Sequence, residues 1–298
     1  MLLEARGLTK YYGKKPALVD FSYDFHPGIY GLLGPNGAGK STLMGIMTTN
    51  LKATAGELFL DGRDILAMGR EYRRYIGYMP QQQKLYDGFS LERFLYYIAA
   101  LKGIEKKAAS EDVERTIHAV NLWDAREDTI GTYSGGMRQR ALLAQAILGN
   151  PQIVIMDEPT VGLDPKERVN FRELVASIAE ERTVIIATHI VSDLEKLASE
   201  IIFLSHGKIV KSGAMEELLP LQLAGDAVRS AGWCLGLVLM ARRRTKLFIS
   251  AEIVSQLFYA CASLALLPLL GIRGPLVAYL AENALYAAAL FVLLRRVR

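Results

Sequence analysis

The first 219 residues predict an α/β fold with a mostly parallel core sheet. Three observations carry that prediction. Short β-branched and aromatic runs alternate with helical patterns, several apolar runs are unbroken enough to be buried on both faces, and a glycine-rich turn joins one such run to a helix. The unbroken runs 29–33, 153–156 and 184–187 read as central strands. Runs 2–8, 19–25 and 57–60 alternate apolar and polar residues and predict an antiparallel flank. Leu91, Phe94, Leu95 and Ile98 recur at helical spacing and open a helical insert over about 91–149. A further strand is expected at 201–204, a turn at His206-Gly207, extended chain at 208–211 and a short helix around 215–219.

Composition narrows the class. The chain is 51% hydrophobic, enough to bury a substantial core and incompatible with disorder. Its net charge of +4 conceals two segments. From Pro220 onward there are nine Lys/Arg and three Asp/Glu, whereas the first 219 residues carry 26 basic and 28 acidic side chains. A nucleic-acid binder carries a basic stripe on its main domain. Here the positive charge flanks apolar runs near the C-terminus, which favours a membrane surface over DNA or RNA. Cys234 and Cys261 lie in apolar stretches without metal-ligand spacing and read as packed or lipid-facing thiols. The first residues hold no long apolar core, so no cleavable secretion signal is expected.

Residues 220–298 form a second segment of different composition. Run 247–272 holds 26 residues with one formal charge, Glu252, and run 275–294 holds 20 with only Glu282. Each is long enough to cross a hydrocarbon core of about 30 Å as a helix. The short link Arg273-Gly274 predicts a tight transmembrane hairpin, and the flanking Arg242, Arg243, Arg244, Lys246, Arg295, Arg296 and Arg298 put both of its ends on the cytoplasmic side. Glu252, Gln256, Glu282 and Asn283 within these runs are expected to meet across the hairpin or to lie at the interface.

The chemistry lies in the first segment. Gly34-Pro35-Asn36-Gly37-Ala38-Gly39-Lys40-Ser41-Thr42 follows a strand and opens a helix, the context a phosphate-binding loop requires. Its glycines let backbone N–H groups converge on an anion, the helix N-terminus adds partial positive charge, and Lys40 reaches the β- and γ-phosphates. Ser41 is the expected Mg²⁺ ligand. Run 153–156 ends in Asp157-Glu158, where Asp157 is suited to hold Mg²⁺ and Glu158 to orient and deprotonate a water. Ser134, in Tyr133-Ser134-Gly135-Gly136-Met137-Arg138-Gln139, heads a helix whose first amides can meet a phosphate.

With the Ser-Gly-Gly-x-x-Gln pattern set about 17 residues before the acidic strand end, the chain resembles the ATP-binding subunits of ATP-binding cassette (ABC) transporters over about 2–219. The resemblance implies a P-loop cassette with a parallel core sheet, an antiparallel β flank and a helical subdomain, binding ATP with Mg²⁺. It also implies roles for further residues. Tyr12 matches the aromatic that stacks on adenine, Gln81 the loop glutamine sensing Mg²⁺ and γ-phosphate, Asp164 a loop crossing a dimer interface, and His189 the switch histidine on the γ-phosphate. Ser134, Gly135 and Gly136 are implied to contact ATP held by a second ABC ATPase subunit, so that the two close head-to-tail around two nucleotides as a homodimer or a heterodimer. Tyr133 departs from the family's usual leucine and is expected to fill the same apolar slot.

The implied whole is a transport ATPase, exporter-like in its Ile76-Gly77-Tyr78-Met79-Pro80 run, working at the cell membrane from its cytoplasmic side with a separate permease subunit. The permease is expected to dock around 81–88 and the helical insert. The competing reading is a non-transport ABC ATPase acting on nucleic acid or ribosomes. Against it stand the single, slightly acidic cassette and the lack of a long coiled-coil insertion. Residues 242–272, 274–280 and Arg295-Arg296 are similar to the last membrane helices of polysaccharide flippases, which leaves the tail as an anchor, a fused permease fragment or a joined flippase-like piece.

Overall fold

A computed structural model of the chain describes residues 1–81, 85–194, 197–214, 254–255, 257–259, 261–262, 265–266 and 273–296. The chain divides into two compact units, Met1–Ser212 and Gly213–Arg298. The short helix expected around 215–219 lies outside the described residues.

The first unit contains two sheets. Strands β1 (Leu3–Tyr12), β2 (Lys15–Phe25), β4 (Ala55–Leu60) and β5 (Arg63–Asp64) form an antiparallel sheet in the order β2-β1-β4-β5. This is the flank that the alternating runs predicted. Strands β3 (Gly28–Leu33), β6 (Ile76–Met79), β7 (Ile153–Asp157), β8 (Thr183–Thr188), β9 (Glu200–Ser205) and β10 (Lys208–Ala214) form the second sheet, ordered β10-β9-β3-β8-β7-β6. From β9 to β6 all pairings are parallel. Every residue of β7 and β8 is buried, which is why these strands read as unbroken apolar runs rather than alternating ones.

One core serves both sheets. Helix α1 (Lys40–Met47) contributes Leu43, Met44, Ile46 and Met47, which pack with Leu3, Leu18, Phe21 and Leu58 of the flank and with Leu32, Ile155 and Ile185 of the central sheet. Tyr23, Phe25 and Tyr30 stack edge-on or tilted with centroids 4.9 to 6.0 Å apart. The Tyr23 hydroxyl of β2 also donates to Glu200 of β9, tying flank to centre.

The helical insert comprises α3 (Leu91–Lys102), α4 (Lys106–Ala119) and α5 (Gly135–Ile147). The one-turn helix Ile65–Met68 precedes them as α2. Ser90 caps α3 by accepting the Arg93 amide, and Gly103 ends it in a left-handed conformation. Leu91, Phe94 and Leu95 bury the α3 face, each contributing about 1.5–3 kcal/mol of apolar burial. Helix α6 (Pro165–Ile178) then returns the chain to β8.

Strand β6 was not resolved by the pattern of apolar residues, because Gly77 interrupts it. The structure gives the reason for that glycine. A Cβ on Gly77 would lie 2.0 Å from the Ala146 carbonyl oxygen, so α5 packs directly on the bare backbone of β6.

In the second unit, helix α7 (Arg273–Arg296) matches the run 275–294. Ala278, Glu282, Asn283, Tyr286 and Leu290 are buried on it. The Ser255 hydroxyl donates to the buried Glu282 carboxylate, and Tyr259 meets Tyr279 edge-on at 6.1 Å. Glu282 thus finds its partner in Ser255, a residue not among those expected to meet, and Asn283 donates to the Tyr279 carbonyl at 2.8 Å, while Glu252 and Gln256 lie outside the described residues. The transmembrane hairpin itself is not supported. Among the described residues no helix is long and apolar enough to cross a membrane, and most of run 247–272 lies outside them.

Replacing Gly77 by alanine is expected to cost about 1–3 kcal/mol through overpacking. Chemical denaturation of the variant beside the parent measures it, and equal midpoints would contradict the close approach of α5.

Candidate nucleotide site

Register delivers most of the expected residues to one place. In the parallel ladder Met79 pairs with Met156, Asp157 with Ala187, and Leu33 with Thr188. Gln81, Asp157, Glu158, His189 and the turn that begins at Gly34 therefore leave the same carboxyl edge of the sheet, within two residues of a strand end. That edge is where open α/β sheets bind their ligands.

The turn from Gly34 to Gly39 is held by close backbone contacts. A Cβ on Gly34 would lie 2.3 Å from the Leu204 carbonyl oxygen. One on Gly39, whose φ is 109°, would lie 2.5 Å from that of Ala17. Asn36 and Gly37 span the tip, Gly39 is the N-cap of α1, and Thr42 lies in its first turn. Lys40 is buried, and its ammonium donates to the Gly34 carbonyl at 2.5 Å and the Pro35 carbonyl at 3.4 Å. The turn is thus folded around the lysine, with the amides of α1's first turn at its mouth.

Asp157 and Glu158 are only 8% and 6% exposed. Burial raises the Asp157 pKa, as does Glu158 beside it, while Lys40 and a hydrogen bond with Ser41 pull it back. Glu158 leaves β7 with φ 48°, a left-handed conformation that costs a non-glycine residue roughly 1–2 kcal/mol. Its amide donates to Ala187 at 2.7 Å, which helps hold that conformation. One carboxylate oxygen of Glu158 lies 2.8 Å from His189 Nδ1, and the other is buried with no partner among the described residues. An unpaired buried carboxylate oxygen is costly, and the usual explanation is a missing water or ligand.

The remaining expected residues stand in two other groups. Ser134 caps α5, its Oγ accepting the Met137 amide at 3.2 Å. Gly135 opens α5, and Gly136 lies against Glu167, whose Oε2 would be 2.2 Å from a Cβ there. Asp164 caps α6 by accepting the Glu167 amide at 2.9 Å, so Asp164 and the serine-headed helix meet through Glu167. No hydrogen bond joins this group to Lys40 or Ser41 among the described residues. Tyr12 stands apart at the end of β1, 53% exposed, with the Lys10 ammonium 5.6 Å from its ring centroid. Tyr133 fills a buried slot as expected, and its hydroxyl also donates to the Ala125 carbonyl at 2.6 Å.

Sequence reasoning missed two features. The Thr160 hydroxyl bonds the buried Asp193 carboxylate, linking the loop after Glu158 to the turn after His189. Arg138 bridges Asp87, Gly131 and Tyr133. Thr160–Asp193 joins two loops and Arg138–Asp87 joins the first turn of α5 to a loop 51 residues earlier, and neither is marked by a spacing.

A parallel sheet carrying a lysine-filled phosphate loop, an acidic strand end and a histidine at one edge defines an α/β nucleoside-triphosphate hydrolase of the phosphate-loop class. Comparison with known proteins narrows the class. The ABC transporter family model matches residues 18–161. The chain is 33% identical over 218 residues to the Uncharacterized ABC transporter ATP-binding protein YxlF of Bacillus subtilis, spanning 73% of this chain and 72% of the relative. It is 36% identical over 222 residues to the Doxorubicin resistance ATP-binding protein DrrA of Mycobacterium tuberculosis, spanning 73% and 67%. Against the Nod factor export ATP-binding protein I of Burkholderia orbicola it is 30% identical over 232 residues, spanning 77% and 76%. A solved structure described as the ATP binding subunit of an ABC transporter shares the fold, with a TM-score of 0.65 and 24% identity over 73% of this chain and 92% of that one. The chain belongs to the ABC transporter ATP-binding family, and it is an ATPase subunit of that family.

Because burial raises the Asp157 pKa, its charge opposes folding at neutral pH and that opposition fades as the group protonates. Asp157→Asn is therefore expected to melt above the parent at pH 7.5 without nucleotide, with the gap narrowing toward pH 5. Thermal scans at both pH values test the sign.

Proposed function

We propose that the chain energises an exporter-type permease in the cell membrane from its cytoplasmic side, hydrolysing ATP between two cassettes closed head-to-tail. The observation that carries the catalytic part is Glu158, a buried carboxylate with one oxygen held by His189 and the other unpartnered, at the same carboxyl edge of the sheet as the phosphate loop. The export reading draws on the relatives' names, one a doxorubicin resistance protein and one a Nod factor export protein.

In this reading Lys40 and the loop amides hold the β- and γ-phosphates, and Tyr12 stacks on adenine. Glu158 orients the attacking water and accepts its proton, and His189 holds the carboxylate while facing the γ-phosphate. Ser134, Gly135, Gly136 and Asp164 meet the nucleotide of the other copy. A monomer then binds ATP but hydrolyses it poorly, because the serine-headed helix that completes the γ-phosphate's surroundings belongs to its twin. Ser41, Asp157 and Gln81 offer only oxygen ligands, a hard set that suits Mg²⁺. When bound, that ion supplies charge neutralisation at the phosphates. No cluster of three acidic, His or Cys ligands occurs among the described residues, which fits an ion held in large part by the nucleotide.

The permease docks on the aromatic patch beyond Gln81. Tyr86 and Tyr97 are exposed there and pack with Phe89, with ring centroids 5.3 to 6.3 Å apart. Residues 1–219 form the cassette and 220–298 an appendage that keeps the chain at the membrane. The basic clusters of the tail support this, since anionic lipid attracts such side chains.

Glu158→Gln is expected to keep ATP affinity while trapping an ATP-dependent dimer, read by size-exclusion chromatography with turnover assayed in parallel. Parent-like turnover would remove Glu158 as the base. Lys40→Ala is expected to weaken nucleotide binding by at least about tenfold, roughly 1.4 kcal/mol, in calorimetry.

A further inference from the structure

The segment Tyr86–Phe89 and the loop before Ser134 are fastened together by one side chain. Arg138, in the first turn of α5, uses all three guanidinium nitrogens. Nη1 donates to Asp87 Oδ1 at 3.1 Å, Nη2 to the Gly131 carbonyl at 3.1 Å, and Nε to the Tyr133 carbonyl at 3.4 Å. The backbone runs alongside: the Gly131 amide donates to the Asp87 carbonyl and the Ile130 amide to that of Phe89, each at 2.9 Å. Gly131 packs closely here, since a Cβ would lie 3.0 Å from the Asp87 carbonyl oxygen, a tight contact. The loop 130–133 thus rests on the segment that carries the exposed aromatic patch, and Ser134 begins where that loop ends.

We infer that Arg138, anchored by Asp87, is a positioning residue for Ser134: it sets the pose in which the serine-headed helix is presented to the nucleotide of a second copy. The inference rests on the reading that Ser134 meets that nucleotide. The Asp87 carboxylate is largely exposed, and exposed ion pairs add little stability, so this contact is suited to be moved rather than to hold the fold. The planar guanidinium matters, because lysine in its place supplies the charge from a single nitrogen, whereas Arg138 meets its three acceptors from three separate ones. Displacing Tyr86–Phe89 from outside therefore moves the Asp87 anchor and, through the guanidinium, the two carbonyls ahead of Ser134.

The test uses the full chain carrying Glu158→Gln, in which ATP-driven dimers accumulate. Arg138→Gln, Arg138→Lys, Asp87→Asn and the double variant Asp87→Asn/Arg138→Gln are added to it. Two quantities are read: affinity for a fluorescent ATP analogue at protein concentrations that keep the chain monomeric, and the ATP concentration giving half-maximal dimer. Monomer affinity is expected to stay within about twofold. The ATP needed for dimerisation is expected to rise by about fivefold or more in both Arg138 variants, the lower end of typical site-to-site couplings. Asp87→Asn is expected to show a smaller shift in the same direction, and the double variant to add nothing beyond Arg138→Gln. Unchanged dimerisation in Arg138→Lys and Asp87→Asn overturns the inference, and so does an equal loss of monomer affinity, which marks a general structural role. Should Arg138→Gln fail to fold, the exposed Asp87→Asn still decides. Ser134→Glu in the same background separates the two readings. If it abolishes dimerisation while the Arg138 and Asp87 variants do nothing, only this inference fails. If it dimerises normally, the assignment of Ser134 fails and takes the inference with it.

Discussion

The register of four parallel strands is the constraint on which the site depends. Gln81, Asp157, Glu158, His189 and the phosphate loop each follow a strand end by no more than two residues, so their spacing is the ladder's spacing and no linker can correct it. A slip of one residue would turn every side chain of a strand to the opposite face. Here that exchange is heavily opposed, because Val154, Ile155, Val184 and Ile185 are fully buried amid specific packing on both faces. The same rigidity sustains the left-handed Glu158, whose amide is tied to the neighbouring strand at Ala187. Strain at a catalytic candidate is thus balanced by an apolar core that has no chemical role.

Much of this was legible in the sequence, for identifiable physical reasons. Central strands buried on both faces must be apolar throughout, and half-buried flank strands must alternate, so runs 153–156 and 2–8 announced their different positions. The phosphate loop was legible because only glycines satisfy its contacts: a side chain at Gly34 or Gly39 would strike a backbone carbonyl. Strand β6 was harder to read, since the requirement at Gly77 comes from a helix 69 residues away, and a glycine in isolation does not say what lies against it. The pairs Thr160–Asp193 and Arg138–Asp87 were invisible for the same reason, as each joins segments distant in sequence whose meeting is decided by the whole fold.

The C-terminal unit shows where apolar composition is a poor guide. Runs of leucine and alanine predicted a membrane hairpin, yet what the described residues display is a helix with Glu282 and Asn283 buried and Glu282 satisfied by Ser255. Hydropathy counts residues without knowing which of them face one another. A polar pair in the middle of an apolar helix specifies a mate, whether the surrounding medium is protein or lipid.

The contact between Gly136 and Glu167 has a consequence for how such a molecule can change over time. Glu167 gives its amide to Asp164 and lays its carboxylate against Gly136, so the two elements a twin copy would touch are cast as a single piece. A methyl group on Gly136 would push the Glu167 side chain aside, while the Glu167 amide could keep its bond to Asp164. Residue 167 thus sets how much bulk position 136 can carry, and a shorter side chain there would open room on the helix without touching the cap.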